Sequence, residues 1–418
     1  MTRSRSTVLA RLAVMVVAIG LATSVLPATS ASAATTRIKP GYFGMTDHDP
    51  TTWPTRPVGA VRLWDTGVTW RDIEVSNGVF DFSRLDAQVA SARSHNARVL
   101  IVLGQTPKFH TSRPNALSYI APGASSAPSL TAWKSYVAKV VRRYKGRGVD
   151  YQIWNEANVK GFWSGSTAQM TELTKTAAKI VRGNDSAATV VAPAMATRLI
   201  GQRMYIRDFY SRRTGGFPVS HWVDVVSLQL YPGPKERPEH SMALLAAARS
   251  VLSSEGVRKP IWNTEINYGL QIGGGGTAAK ISTRRQAAYV ARTYVLNAAS
   301  GVKKVFWYSW DLQSLANTKL TYSSGSLTPA GTTYGVVRSW LLGSKISSCS
   351  KDRRGTYHCV ATYSDGVRHI YWNPTKSVSI RTPATTTNWV SQSGVSTKIG
   401  SNKSLSVDYA PKMVRSRR

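Results

Sequence analysis

The sequence predicts an α/β architecture, a closed (β/α)₈ TIM barrel followed by a small antiparallel β domain. Eight short runs rich in Val, Ile and aromatic residues recur through the first 310 residues, and most of the stretches between them have helical periodicity. After about Leu342 the pattern changes to short alternating strands separated by Ser, Thr, Gly and Asn. Strand and helix in alternation imply parallel strands joined by right-handed crossovers, and eight such units in about 300 residues favour a closed barrel over an open sheet. An open doubly wound sheet would carry a glycine-rich phosphate turn after its first strand, and Gly41 and Gly44, which flank the first run, do not form one.

The predicted strands are Tyr42 to Thr46, Ala60 to Asp65, Arg98 to Gly104, Tyr151 to Trp154, Thr189 to Ala194, Asp224 to Leu230, Pro260 to Asn263 and Lys304 to Trp310. Between the third and fourth, Leu130, Trp133, Tyr136, Val137, Val140, Val141 and Tyr144 form a helical stripe with Lys and Arg on the opposite face. Ala287, Val290, Ala291, Tyr294, Val295 and Ala298 form another between the seventh and eighth. The expected domains are a leader over 1–34, a barrel over 35–342 and a small β-sandwich-like domain over 343–418, with a basic, frayed tail from Lys412 to Arg418. In that last domain the predicted strands are Thr356 to Tyr363, Val367 to Trp372, Ser377 to Ile380 and Ser404 to Tyr409.

The apolar run Leu12 to Leu26 follows Arg3, Arg5 and Arg11 and precedes Ala31-Ser32-Ala33, which reads as a secretory signal cleaved near residue 33 or 34. The alternative is a retained N-terminal anchor, for which the run is short. Secretion, with no membrane span after cleavage, is therefore expected. Cys349 and Cys359, the two cysteines, fall at the start of the small domain, Cys359 in its first predicted strand. In an exported protein they are expected to form a hairpin staple, since a metal pair lacks further ligands and a nucleophilic thiol lacks a partner base. No His-x-x-x-His or Cys-x-x-Cys spacing occurs, so neither a metal nor a cofactor is predicted.

Lys and Arg number 54 against 21 Asp and Glu, a formal charge of +33, and removal of the leader leaves about +30. The small domain holds 13 of the basic residues against 3 acids, so both parts are basic. Outside a cell such a field points to acidic cell-wall polymers or glycans as partners, or to a surface habit of the source organism. Nucleic-acid binding would require basic residues interleaved with aromatics along one groove, and no such stripe is present.

Acids are therefore scarce, and two stand at strand ends in similar surroundings. These are Ile153-Trp154-Asn155-Glu156-Ala157-Asn158 after the fourth strand and Ile261-Trp262-Asn263-Thr264-Glu265 after the seventh. In a closed barrel the C-terminal strand ends converge on one mouth, so two carboxylates 109 residues apart can face each other there. Taken singly, each also fits a helix cap or a surface acid.

Trp154-Asn155-Glu156, Glu265 and Val61-Arg62-Leu63-Trp64-Asp65 together resemble the retaining β-glycosidases of glycoside hydrolase clan A, most of all family 39 and its relatives. The resemblance covers about residues 40 to 342. It implies a carbohydrate substrate, Glu156 as acid and base, Glu265 as nucleophile, and Asn155 on the sugar 2-hydroxyl. It also implies that Arg62 and Tyr231 hold Glu265, and that an aromatic at the end of strand eight, Trp307 or Trp310, forms a platform for the sugar. Trp64, Phe162 and Trp163 are candidates for outer subsites, and His48 and His110 for hydroxyl contacts, with a turn as the alternative for His48. The run Gly273 to Gly276 reads either as a mobile lid or as a plain loop. A barrel that has lost catalysis and binds acidic glycans is the competing reading; it has no need of two opposed acids.

Overall fold

The computed structural model describes residues 36–49, 52–270, 279–311 and 317–417, all within one compact unit, Ala31–Arg418. The leader and the four-glycine run lie outside the described residues. Eight parallel strands form the barrel: β1 (Phe43–Thr46), β2 (Ala60–Leu63), β3 (Arg98–Leu103), β4 (Val149–Ile153), β5, β6 (Val226–Gln229), β7 (Ile261–Ile266) and β8 (Lys304–Tyr308). β5 is split into Val190–Val191, which pairs with β4, and Met195–Ala196, which pairs with β6. Pro193, which has no N–H to give a ladder, lies in the break. A bridge between Val191 and Val225 completes the ring.

Seven long helices pack outside: α1 (Ser83–Ser94), α2 (Leu130–Tyr144), α3 (Thr167–Asn184), α4 (Ile200–Ser211), α5 (Pro238–Ser254), α6 (Thr283–Ala299) and α7 (Pro329–Leu341). The stripe predicted for α2 is buried from Trp133 to Tyr144, while Leu130, in its first turn, is exposed. No helix among the described residues is long and apolar enough to cross a membrane.

Inside the barrel, side chains alternate inward and outward along each strand. Ala60, Leu100, Val191, Val225, Trp262 and Phe306 form its floor. Gly44 makes room there, because a Cβ on it would lie 2.6 Å from the Phe306 ring.

Apart from two short hairpins, Glu74–Ser76 with Val79–Phe80 and Arg213–Thr214 with Phe217–Pro218, the strands outside the barrel follow α7: β9 (Lys345–Ile346), β10 (Ser350–Lys351), β11 (Tyr357–Thr362), β12 (Val367–Trp372), β13 (Val378–Arg381), β14 (Thr386–Ser391), β15 (Ser396–Lys398), β16 (Ser404–Val407) and β17 (Lys412–Ser416). One sheet has the order β9-β11-β12-β17-β14-β15, with β10 on β11, and β13 pairs separately with β16. The tail expected to fray is in fact a central strand. Met413 and Val414 are both fully buried and point to opposite faces, Met413 toward the barrel core and Val414 toward β16. The basic flanks Lys412 and Arg415 masked this two-residue apolar signal.

The Cys349–Cys359 disulfide is present. Cys349 immediately precedes β10, and the pairing of Ser350 with His358 brings it opposite Cys359 in β11. Trp372 donates from Nε1 to Glu239 Oε1 (2.8 Å), and the fully buried Arg292 donates to the same carboxylate, which ties the sheet to α5 and α6.

Candidate active site

Arg62, inward-facing on β2, is fully buried and all three of its donor groups are used. Nε donates to Gln152 Oε1 (2.8 Å), Nη1 to Glu265 Oε2 (2.7 Å) and Nη2 to Asn155 Oδ1 (2.6 Å). Below it, Gln152 Nε2 donates to Ser227 Oγ (2.6 Å), which bonds Thr264 Oγ1 (2.6 Å). Above it, Gln229 Nε2 donates to both Asn155 Oδ1 and Glu265 Oε2, each at 3.0 Å. The middle of the barrel is therefore a closed polar network rather than an apolar layer, and its members fix one another's orientation.

Glu265 lies within β7 rather than after it, and it points inward because the strand is irregular. Thr264 already faces in, so regular alternation would turn Glu265 outward. The register with β6 steps from Leu228/Asn263 to Gln229/Glu265, and that with β8 from Asn263/Val305 to Ile266/Trp307. One extra residue in β7 restores the inward direction, as β-bulges do. Tyr231 then donates its hydroxyl to Glu265 Oε1 (2.8 Å). Glu265 thus accepts from Arg62, Gln229 and Tyr231.

Glu156 is delivered differently. Asp65, Gln105, Trp154 and Glu156, just beyond the ends of β2, β3 and β4, all have left-handed backbone, with φ of 59°, 62°, 70° and 43°. Such conformations cost roughly 1–2 kcal/mol per non-glycine residue and persist where surrounding contacts hold them. Trp154 is held by its N–H to Leu103 O (2.7 Å) and its Nε1 to Phe162 O (2.8 Å). Its ring lies against Gly104, where a Cβ would sit 3.0 Å away. The Glu156 side chain, half-buried, makes no hydrogen bond among the described residues.

The two acids consequently differ in state. Burial, and then the charge of Glu265, push the Glu156 carboxyl up to about 8. Burial also raises Glu265, opposed by the charge of Arg62 and the hydrogen bond from Tyr231. At neutral pH the arrangement favours a proton on Glu156 and a charge on Glu265. Asn155 Oδ1 receives two donors, so its Nδ2 hydrogens are the ones left over for a ligand.

A second group of polar side chains stands across the mouth. His48 Nδ1 meets Asp311 Oδ1 (2.9 Å), and Tyr308 donates to Asp65 Oδ2 (2.9 Å). Asp47, beside them, is buried and raised to about 8 by burial and by Asp311. No cluster of three or more His, Cys, Asp or Glu able to hold a metal occurs among the described residues.

Several expected contacts lie elsewhere. Trp307 is not at the mouth: it is fully buried and faces outward from β8, with its ring centroid 6.0 Å from Tyr268 and 6.4 Å from Tyr294. Strand alternation gives the reason, since Phe306 and Tyr308 occupy the inward positions. Trp310 is at the mouth end but only 6% exposed, and its backbone is bonded to Thr46 and Thr321. Trp163 packs edge-on to Trp154 (4.9 Å), and His110 bonds Glu74 Oε1 (2.9 Å). Trp64 is buried against the half-buried Phe162, whose other neighbour is the exposed Tyr119.

The reading of the sequence missed Gln152, Gln229, Tyr308 and Arg198. The first three had a signal: each is a polar or hydroxyl-bearing residue at an inward position of an otherwise apolar strand. Arg198, in the loop after β5, had none.

The family model described as the glycosyl hydrolase catalytic core matches residues 122–334. A β-xylosidase of Geobacillus stearothermophilus is 25% identical over 156 residues, which are 35% of this chain and 30% of that protein. Among solved structures, a family 39 glycoside hydrolase from Bacteroides cellulosilyticus WH2 superposes with a TM-score of 0.69 at 17% identity, covering 91% of this chain and 81% of its own. A monomeric β-xylosidase from Caulobacter crescentus CB15 gives 0.66 at 14% identity, covering 93% and 98%. At these identities the structural likeness is one of fold, and the match to the Geobacillus protein spans less than a third of its length.

Proposed function

The chain belongs to the glycosyl hydrolase catalytic core family, and from that premise we propose that it is a retaining β-glycosidase acting by double displacement with Glu156 and Glu265. The observation that carries this reading is the asymmetry of the two glutamates. Glu265 has three donors on its carboxylate, and Glu156 has none and is pushed up to about 8 by burial and by the charge of Glu265.

Glu156, protonated, gives its proton to the glycosidic oxygen while Glu265 attacks the anomeric carbon. The C–O bond to the leaving sugar breaks as the bond to Glu265 forms. Glu156, now ionised, takes a proton from a water that attacks the same carbon and frees Glu265. Charge thus moves off Glu265 and onto the departing oxygen, where the Glu156 proton neutralises it. Asn155 Nδ2 is placed to meet the sugar 2-hydroxyl, and a hydrogen bond there strengthens as positive charge develops on the ring. Arg62 and Tyr231 orient the nucleophile and keep it ionised.

Export, with acidic wall polymers as a surface partner, belongs to the same proposal. It is supported by the leader-like N-terminal composition, the net charge of +33 and a disulfide that persists in oxidising compartments. Incubation with a panel of aryl β-glycosides, β-xylosides included because two of the similar proteins are named β-xylosidases, tests the mechanism. Proton NMR of the first product is expected to show the β-anomer before mutarotation. An initial α-anomer would exclude double displacement. Binding of glycans without turnover on any member of the panel would favour the non-catalytic alternative.

A further inference from the structure

Arg198 is a cation that acts on Glu156 and that the proposed mechanism does not use. It lies two residues past Ala196, at the C-terminal end of β5, in a loop that is fixed from several sides. Asn158 grips Ala196 through both its N–H (2.9 Å) and its carbonyl (2.7 Å), and Thr197 Oγ1 donates to Gln229 O (2.9 Å). Arg203 Nη1 donates to the carbonyls of both Thr197 (2.8 Å) and Arg198 (2.9 Å). Asn158 belongs to the loop that carries Glu156, so acid and cation are held in register by one short segment.

Several other half-buried arginines are paired. Arg98, Arg182, Arg203 and Arg249 each donate to a carboxylate or a carbonyl. The Arg198 guanidinium, half-buried as well, makes no hydrogen bond or ion pair among the described residues. Burial works against its charge, and the acids that act on it are Glu156 and Glu236. Glu236 is exposed and accepts from Gly233 N–H. Glu156 must carry a proton for the first step, so it is no permanent counter-ion. A guanidinium held rigid, partly out of water and without a fixed partner is prepared for an anion from outside. Because Glu156 protonates the departing oxygen, a group beside it faces the departing sugar.

We propose that Arg198 is a substrate-binding residue that receives the carboxylate of a uronic acid on the leaving-group side of the scissile bond. This rests on the glycosidase reading and narrows its substrate class to an acidic glycan.

The test uses two disaccharides that share a glycone the enzyme accepts in aryl form. In one this glycone is linked to a uronic acid, and in the other to the methyl ester of the same acid, which keeps the skeleton and removes the charge. The wild type is expected to favour the acid by at least tenfold in kcat/KM, and Arg198→Gln to bring the ratio close to one. Arg198→Lys should keep an intermediate preference, because a point charge replaces the planar fork. A ratio is taken within each variant, so a loss of folded protein cancels. A wild-type ratio near one, or an unchanged ratio in Arg198→Gln, would overturn the assignment and leave the glycosidase reading standing. Failure of the wild type on every aryl glycoside would instead remove the reading on which it rests.

Discussion

The barrel buries acids at both ends, and it treats them in opposite ways. At the floor, Asp150 on β4 is 1% exposed and receives Arg98 through Nε and Nη2, Lys304 Nζ at 3.3 Å and the N–H of Thr189 at 3.0 Å. Burial pushes its carboxyl up, but these donors outweigh it and hold the pKa below the ordinary carboxylate range. At the mouth, six residues further along, Glu156 has no such donors and is raised to about 8. The strand thus carries one acid neutralised by its neighbours, and the loop that follows it carries one left short of partners. What separates the two is the supply of donors around each carboxyl, since burial raises both, Asp150 fully buried and Glu156 half-buried.

The largest effect that can break this contrast is expected at the proposed nucleophile. Glu265→Ala should lower kcat by roughly 10⁴-fold or more, and added azide should restore part of it by forming a glycosyl azide of inverted configuration. Activity close to wild type would remove Glu265 from its role. Next comes Glu156→Ala, with a loss of roughly 10²–10⁴-fold on glycosides with poor leaving groups and a much smaller one on activated aryl glycosides. If Glu156 acts in its protonated form, as proposed, kcat/KM of the wild type on a poor leaving group should fall as pH rises through about 8. That limb should vanish in Glu156→Ala, and its persistence would assign the titration to another group.

At the floor the expected change is in stability. Asp150→Asn leaves Arg98 and Lys304 facing a neutral amide and should cost about 2–4 kcal/mol, seen as a lower Tm near neutral pH. The sign of the pH dependence follows from the lowered pKa. The contribution of Asp150 is present above the unfolded value of about 4 and is lost as pH falls through the folded one. The gap between wild type and variant should therefore narrow in acid; a gap independent of pH would mean that packing, not charge, is what Asp150 supplies. The smallest effect is expected from Cys359→Ser, about 2–3 kcal/mol in thermal unfolding, with kcat unchanged at temperatures where the variant is folded.

The same contrast explains what could be read in the sequence. The eight strands were legible because their apolar runs are dense, and Glu156 because Trp-Asn-Glu is a rare string in a chain poor in acids. Glu265 was found through its motif, and strict alternation would have sent it outward, because the extra residue in β7 leaves no compositional mark. Trp307 was misplaced for the converse reason. Its strand is regular, and counting inward positions from Phe306 would have selected Tyr308. Arg198 and the floor cluster depend on which loops and strand starts meet across the ring, and no local pattern records that.

The position of β17 has a consequence for the order in which the molecule can be made. Its partners β12 and β14 leave the ribosome first, and until Lys412–Ser416 follows, both have an edge of unpaired N–H and C=O groups facing the gap. A nascent chain arrested anywhere between β14 and β17 therefore holds two sticky margins and the uncovered side of Ile370 and Val390, whose cover is Met413. A stalled or clipped product would be expected to be captured by holdase chaperones or to pair with its own copies. For this protein the residues of β17, made after the strands they join, are the ones that determine whether the preceding sheet stays soluble.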